Sequence, residues 1–137
     1  MQVHPYLFFH GRCEEAVEFY TKSLGAHDVE LMRFSDSPEP TPPDMLAPGY
    51  DNKIMHGQFK VGDLVVMVSD GSRESAQTFA GFALALSVPT EADADRVFNA
   101  LADGGKVGMP LAKTFWSPRF GMLSDRFGVD WMVMTTP

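Results

Sequence analysis

Cysteine is almost missing: Cys13 stands alone in 137 residues, so no intrachain disulfide can form and a reducing compartment fits. Positive charge is also scarce, with 11 Lys and Arg against 18 Asp and Glu and a formal net charge of −7. That balance argues against nucleic acid or an anionic membrane as partner. Long hydrophobic runs are lacking as well; "LVVMV" at 64–68 is far too short to span a bilayer. The start, "MQVHPYLFFHG", has no basic segment leading into a long apolar stretch, so no signal peptide is expected. These deficits predict a soluble, cytoplasmic protein. What is present is 45% hydrophobic composition, enough for one domain with a real core.

Along the chain, "VHPYLFF" (3–9) reads as a strand. The next stretch, "GRCEEAVEFYTKSLGA", spaces Ala16, Val17, Tyr20 and Leu24 as one helical stripe, with Glu14 and Glu15 in the first turn and Gly25 as a stop. "DVELMRF" (28–34) reads as a strand. The following loop, "SDSPEPTPPDMLAPGYD", holds five of the ten prolines and can be neither regular helix nor central strand. "KIMHGQFKV" and "LVVMVSD", joined by "GD", form a hairpin. The second half repeats this order. "FALALSV" (82–88) is a strand, and "TEADADRVFNALADGG" is a helix with Thr90 and Asp93 as a capping box and Gly104 as a stop. Its apolar stripe is Ala94, Val97, Phe98 and Leu101. "KVGMPLA" is a strand, "KTFWSP" a loop, and "RFGMLSD" with "VDWMVM" the closing hairpin.

The chain therefore reads as one α+β domain spanning 1–137, built from two βαβββ modules at about 1–70 and 78–137. One helix covers only one face of a four-stranded sheet. Two such modules are expected to make a curved, mixed sheet whose uncovered side forms a cleft, the default site for a small ligand.

The segments "PYLFFHGRCEEAVEFY", "DNKIMH", "VFNALADGGKVGMPL" and "TFWSPRFGMLSDRFGVDWMV" resemble the PhnB-like branch of the vicinal oxygen chelate superfamily, over essentially the whole chain. That superfamily includes glyoxalase I, extradiol dioxygenases and the bleomycin and fosfomycin resistance proteins, and the resemblance implies the glyoxalase/bleomycin-resistance fold. An old label within the branch is demethylubiquinone methyltransferase. A methyltransferase using S-adenosylmethionine ordinarily needs a glycine-rich loop after the first strand of an alternating α/β sheet. Here the glycines of "ADGGKVG" follow a helix and read as its stop. In the metal-dependent relatives, ligands come from the first and last strand of each module. The resemblance places those positions at Pro5, Met67, Ala83 and Met132. None is His, Glu or Gln, and thioethers suit hard divalent ions poorly. No metal and no cofactor are expected.

Within "KIMHGQFKV", Ile54, His56, Gln58 and Lys60 share one face, and Met55, Phe59 and Val61 share the other. If the apolar set packs under the helix, His56 and Gln58 face the cleft. His56 could then bind ligand or act as a general base; the alternative is a structural histidine bonded to a loop. Trp116, on an irregular segment, is either a site residue or a packing anchor. Asp130 shares a face with Met132 and Met134; it is a cleft acid or a solvated acid at a strand start. Met67, Met122 and Met132 would line the cleft centre as flexible apolar surface, or simply fill space. Cys13 reads as structural, and His4, His10 and His27 show no ligand spacing.

Two function classes follow. One is a metal-free protein that binds a small, partly apolar molecule through His56, Gln58, Met67, Trp116, Met122 and Met132. The other is a glyoxalase-like enzyme acting on a small carbonyl compound, with His56 and Asp130 as catalytic groups. A third possibility is a dimer with no ligand. The resemblance and the exposed sheet edges both imply a homodimer, with the proline-rich loop 36–50 as a lid or dimer contact.

Overall fold

The computed structural model describes residues 1–72 and 78–136. The chain divides into two compact units, Met1–Gln77 and Thr78–Pro137. The first contains β1 (Tyr6–Phe8), α1 (Cys13–Leu24), β2 (His27–Arg33), β3 (Ile54–Val61) and β4 (Leu64–Ser69). Its sheet runs in the order β1-β4-β3-β2, with β1 parallel to β4 and the other pairs antiparallel. β1 is shorter than "VHPYLFF" predicts. Single backbone bonds continue the pairing past both ends, from Met67 N to Pro5 O and from Phe9 N to Ser69 O, each 2.9 Å.

Helix α1 forms where the apolar stripe predicts it. Ala16, Val17 and Tyr20 are buried, and the Tyr20 ring lies 6.3 Å from Phe9 and 5.9 Å from Phe59. Burying such a ring contributes on the order of 2 kcal/mol. The helix ends on Gly25, at φ +68°, where left-handed backbone suits glycine. Its start has no local side-chain cap. The cap instead arrives from the end of β4: Asp70, 1% exposed, accepts from the backbone N–H groups of Gly11 and Cys13 through Oδ1 and of Ile54 through Oδ2, each at 2.8 Å. A long-range carboxylate thus satisfies donors that every helix start leaves open. The proline-rich segment forms short 3₁₀ turns at Phe34–Asp36, Pro43–Met45 and Tyr50–Asn52 and no α-helix or strand, which its prolines disfavour.

The second unit repeats the plan with β5 (Leu84–Val88), α2 (Glu91–Ala102), β6 (Lys106–Ala112), β7 (Phe120–Ser124) and β8 (Asp130–Thr135). Its sheet order, β5-β8-β7-β6, matches that of the first, again with one parallel pair, β5 and β8. Thr90 caps α2 by accepting from Asp93 N at 3.0 Å. The Asp93 carboxylate meets Arg96 at 3.3 Å. Ala94, Val97, Phe98 and Leu101 are buried, the stripe expected from spacing. Phe98 lies so close over Gly121 that an added Cβ would sit 2.8 Å from its ring. In each unit, then, a single helix covers one face of a mixed four-stranded sheet, and the other face is left open.

Candidate functional site

In the first unit, strand alternation decides what the open face carries. Leu7 and Phe9 are buried on the helix side, whereas Tyr6 and Phe8 are 39% and 46% exposed. Phe59, buried against Tyr20, turns His56 and Gln58 to the opposite face. Register then lines up two rows. Tyr6 pairs with Met67, Met67 with Gln58, and Gln58 with Glu30. In the next row Phe8 pairs with Ser69, and His56 with Met32. His56, Gln58 and Met67 are therefore neighbours. A shallow depression of about 220 Å³ is lined by His56, Gln58, Gly57, Glu30, Leu31 and Met32.

The structure adds a residue that the sequence reading missed. The Tyr6 hydroxyl lies 3.0 Å from His56 Nδ1, and the two rings are 5.7 Å apart. Tyr6 also stacks on Phe8 at 4.9 Å, so a short aromatic platform borders the imidazole. Burial pushes the Tyr6 phenol pKa up, against a smaller lowering by the Ser69 side chain. "YLFF" gave no hint of this, because all four residues are apolar or aromatic and no polar alternation marks the open side. The open-face residue in register with Met67 is Tyr6, and Pro5 directly precedes the strand.

In the second unit, buried Leu123, Trp131 and Val133 alternate with Met122, Met132 and Met134 on the open face. Ala85 pairs with Met132 and Met132 with Met122, giving a mainly thioether row. Asp130 shares this face. Its carboxylate accepts a hydrogen bond from Ser124, its register partner. Trp116, 47% exposed, meets Phe120 edge-on at 5.3 Å and Phe115 at 4.7 Å. Phe120 alternates onto the face of Met122, so Trp116 borders that surface. Trp116, Met122, Met132 and Asp130 thus belong to the second unit, and His56, Gln58 and Met67 to the first.

Other candidates lie elsewhere. Cys13 is fully buried, and burial, with Asp70 and Glu14 nearby, pushes its thiol pKa far up, the opposite of a reactive cysteine. His27 faces Asp28 at 3.4 Å, and His4 faces Gln2 at 3.4 Å. A second depression of about 230 Å³ is lined by Glu14, Arg33, Asn52, Lys53 and Asp70, but its charges already have partners. Arg33 pairs with Glu14, Lys53 donates to Gly11 O at 2.8 Å, and Asp70 holds the start of α1.

The fold implies a metal only if the donors suit one. At the expected positions the first unit offers Pro5 and Met67, with Tyr6 beside them, and the second offers Ala83 and Met132; among the described residues no three His, Cys, Asp or Glu side chains converge. Neither unit's donors fit a hard divalent ion.

Residues 1–134 match a family model described as 3-demethylubiquinone-9 3-methyltransferase. The chain belongs to this family. It is 34% identical to the protein YjdN of Escherichia coli strain K12, over 97% of this chain and 94% of that one. Protein PA1353 from Pseudomonas aeruginosa is similar in structure, with TM-score 0.84 and 43% identity over 99% of this chain and 98% of that one. A Bacillus cereus structure, described as a putative 3-demethylubiquinone-9 3-methyltransferase and PhnB protein, has TM-score 0.77 and 28% identity over 99% and 100% of the two chains. The fold extends further. A glyoxylase/bleomycin resistance protein/dioxygenase domain from Frankia sp. EAN1pec gives TM-score 0.69 at 17% identity, over 100% of this chain and 98% of that one. The protein is thus PhnB-like and has the glyoxalase/bleomycin-resistance fold. The methyltransferase wording is the family's. In this chain both sheets are mixed. Gly104 and Gly105 turn the chain after α2, with Gly105 too close to the Ser124 backbone to leave room for a Cβ.

Proposed function

We propose that this PhnB-like protein is a metal-free binder of a small, partly apolar molecule. The observation that carries this reading is the make-up of the open sheet faces. One presents Tyr6, Phe8, Met67 and Met32 around His56 and Gln58; the other presents Met122, Met132 and Met134 beside Trp116. Apolar and aromatic surface with a few polar groups suits ligand binding, and thioethers adapt to irregular ligand shapes. The residues at the usual metal positions favour binding over metal-assisted isomerisation.

A second reading rests on the Tyr6–His56 contact. An imidazole held by a neighbouring group is the usual arrangement of an acid–base catalyst. In that reading His56 moves a proton on a small carbonyl compound, and Asp130 is a further candidate acid.

A thermal-shift screen of metabolites, aromatic drugs and divalent metals separates the two, paired with elemental analysis after dialysis and an assay on the methylglyoxal–glutathione hemithioacetal. Binding of an aromatic or partly apolar compound, with substoichiometric metal and no turnover, is the expected result. One equivalent of metal, or turnover on adding nickel or zinc, would overturn it in favour of the enzyme.

A further inference from the structure

His56 is a polar ring among apolar open-face residues of the first unit, and its two nitrogens have different surroundings. Nδ1 faces the Tyr6 hydroxyl at 3.0 Å, while Nε2 has no hydrogen-bond partner among the described residues. The groups around the ring come from three strands: Tyr6 on β1, Met32 and Glu30 on β2, and Ser69 and Met67 on β4. Glu30 pairs with Gln58 one row away, so Tyr6 is the group that meets the ring directly.

The direction of the Tyr6–His56 bond follows from the chemistry of its partners. A phenol is a good donor and a weak acceptor, because its oxygen lone pair is delocalised into the ring. A neutral imidazole nitrogen without hydrogen is a good acceptor. The pair is strongest with the phenol donating. Burial, which favours the neutral phenol, keeps that proton on Tyr6. The aromatic platform of Tyr6 and Phe8 further restricts where the two rings can go.

We propose that Tyr6 is a positioning residue that fixes the tautomer of His56, so that the neutral ring keeps its hydrogen on Nε2 and offers a donor to an oxygen acceptor of the bound molecule. The inference rests on the binding reading above and deepens it. The ligand class becomes an aromatic or partly apolar compound carrying a carbonyl or similar oxygen, with its ring against Tyr6 and Phe8 and its oxygen at Nε2. In this arrangement His56 does not act as a general base, because the nitrogen open to ligand holds a hydrogen rather than a lone pair.

The test begins without any ligand. Long-range ¹H–¹⁵N correlation spectra report the His56 tautomer directly, at a pH where the ring is neutral, in the native chain and in Tyr6→Phe. The variant keeps the ring and removes only the hydroxyl, at a side chain 39% exposed. The expected result is a dominant Nε2–H form in the native chain. In Tyr6→Phe the ratio of Nε2–H to Nδ1–H should fall about fivefold, the worth of one ordinary hydrogen bond. An unchanged ratio, or a dominant Nδ1–H form in the native chain, overturns the assignment. Titration with acetophenone and with ethylbenzene then probes the acceptor. Movement of the His56 nitrogen resonances with acetophenone alone supports the proposed ligand class. A tautomer that responds to Tyr6→Phe, with neither probe moving His56, overturns the binding reading of this face while supporting the role of Tyr6.

Discussion

Asp70 and Asp125 show how much a single buried carboxylate can organise. Both follow a serine at the end of a strand, in "VSD" and "LSD", and both are nearly inaccessible at 1% and 3% exposure. Asp125 accepts from Phe127 N, Val129 N and the Trp131 indole at 2.8, 3.1 and 2.9 Å, and so shapes the turn into β8. Asp70 holds three backbone donors: Gly11 before α1, Cys13 at its start and Ile54 at the start of β3. Replacing Asp70 by Ala strands those donors in the interior and is expected to cost roughly 3 kcal/mol in urea denaturation. Asp103→Ala, which removes an exposed pair with Arg126, should cost about 0.5 kcal/mol or less. Equal losses for the two variants would show that Asp70 does not carry this role.

Cys13 makes a pH prediction. Its folded-state pKa is raised, chiefly by burial. The folded chain therefore keeps the thiol protonated while an unfolded thiol ionises near pH 8.5. Stability is intact below that point and falls as pH rises above it, by about 2 kcal/mol between pH 8 and pH 10. Cys13→Ala should remove this component, so its urea midpoint should fall less over the same interval. Identical pH dependence in the two proteins would count against the raised thiol pKa.

At the level of elements, the two helices use different means for the same start. α2 is capped locally by Thr90, whereas α1 draws its cap from a residue 57 positions away. Thr90→Ala is expected to cost about 1 kcal/mol, read from thermal or urea unfolding, with Thr90→Ser recovering most of it. A Ser variant no better than Ala would mean that the side-chain oxygen is not the stabilising group. The spacing of Ala94, Val97, Phe98 and Leu101 was sufficient to place α2, because a helical stripe is a local pattern. The capping box was only half realised: Thr90 meets Asp93 N, while the Asp93 carboxylate turns to Arg96.

At the scale of the molecule, each unit's sheet has two edge strands paired on one side only, β1 and β2 in the first and β5 and β6 in the second. β6 is exposed along most of its length, with Val107 and Met109 at 50% and 45%. Unpaired edges with apolar side chains favour association. A homodimer at micromolar concentration is the proposed state, checked by light scattering; a monomer there would refute it. No described helix is long and apolar enough to cross a membrane. The open faces carry the proposed binding function, and they exist because one helix per unit can cover only one side of its sheet.

The element order and the family were legible in the sequence, because helical stripes, strand alternation in "VDWMVM" and glycine stops are encoded within a few residues of one another. The same alternation put His56 and Gln58 opposite Phe59. What surrounds His56 was decided only in three dimensions. Tyr6 reaches it through the parallel pairing of β1 with β4 and the antiparallel pairing of β4 with β3, at a separation of 50 residues. The place of Tyr6 on the open face has the same origin. In "PYLFF" every side chain is compatible with burial, so local pattern leaves the register undetermined, and the backbone pairing of Tyr6 with Met67 sets which side chain faces outward. The cap from Asp70 is likewise a tertiary fact, since a carboxylate distant in sequence becomes a helix cap only when the sheet brings it to the helix start.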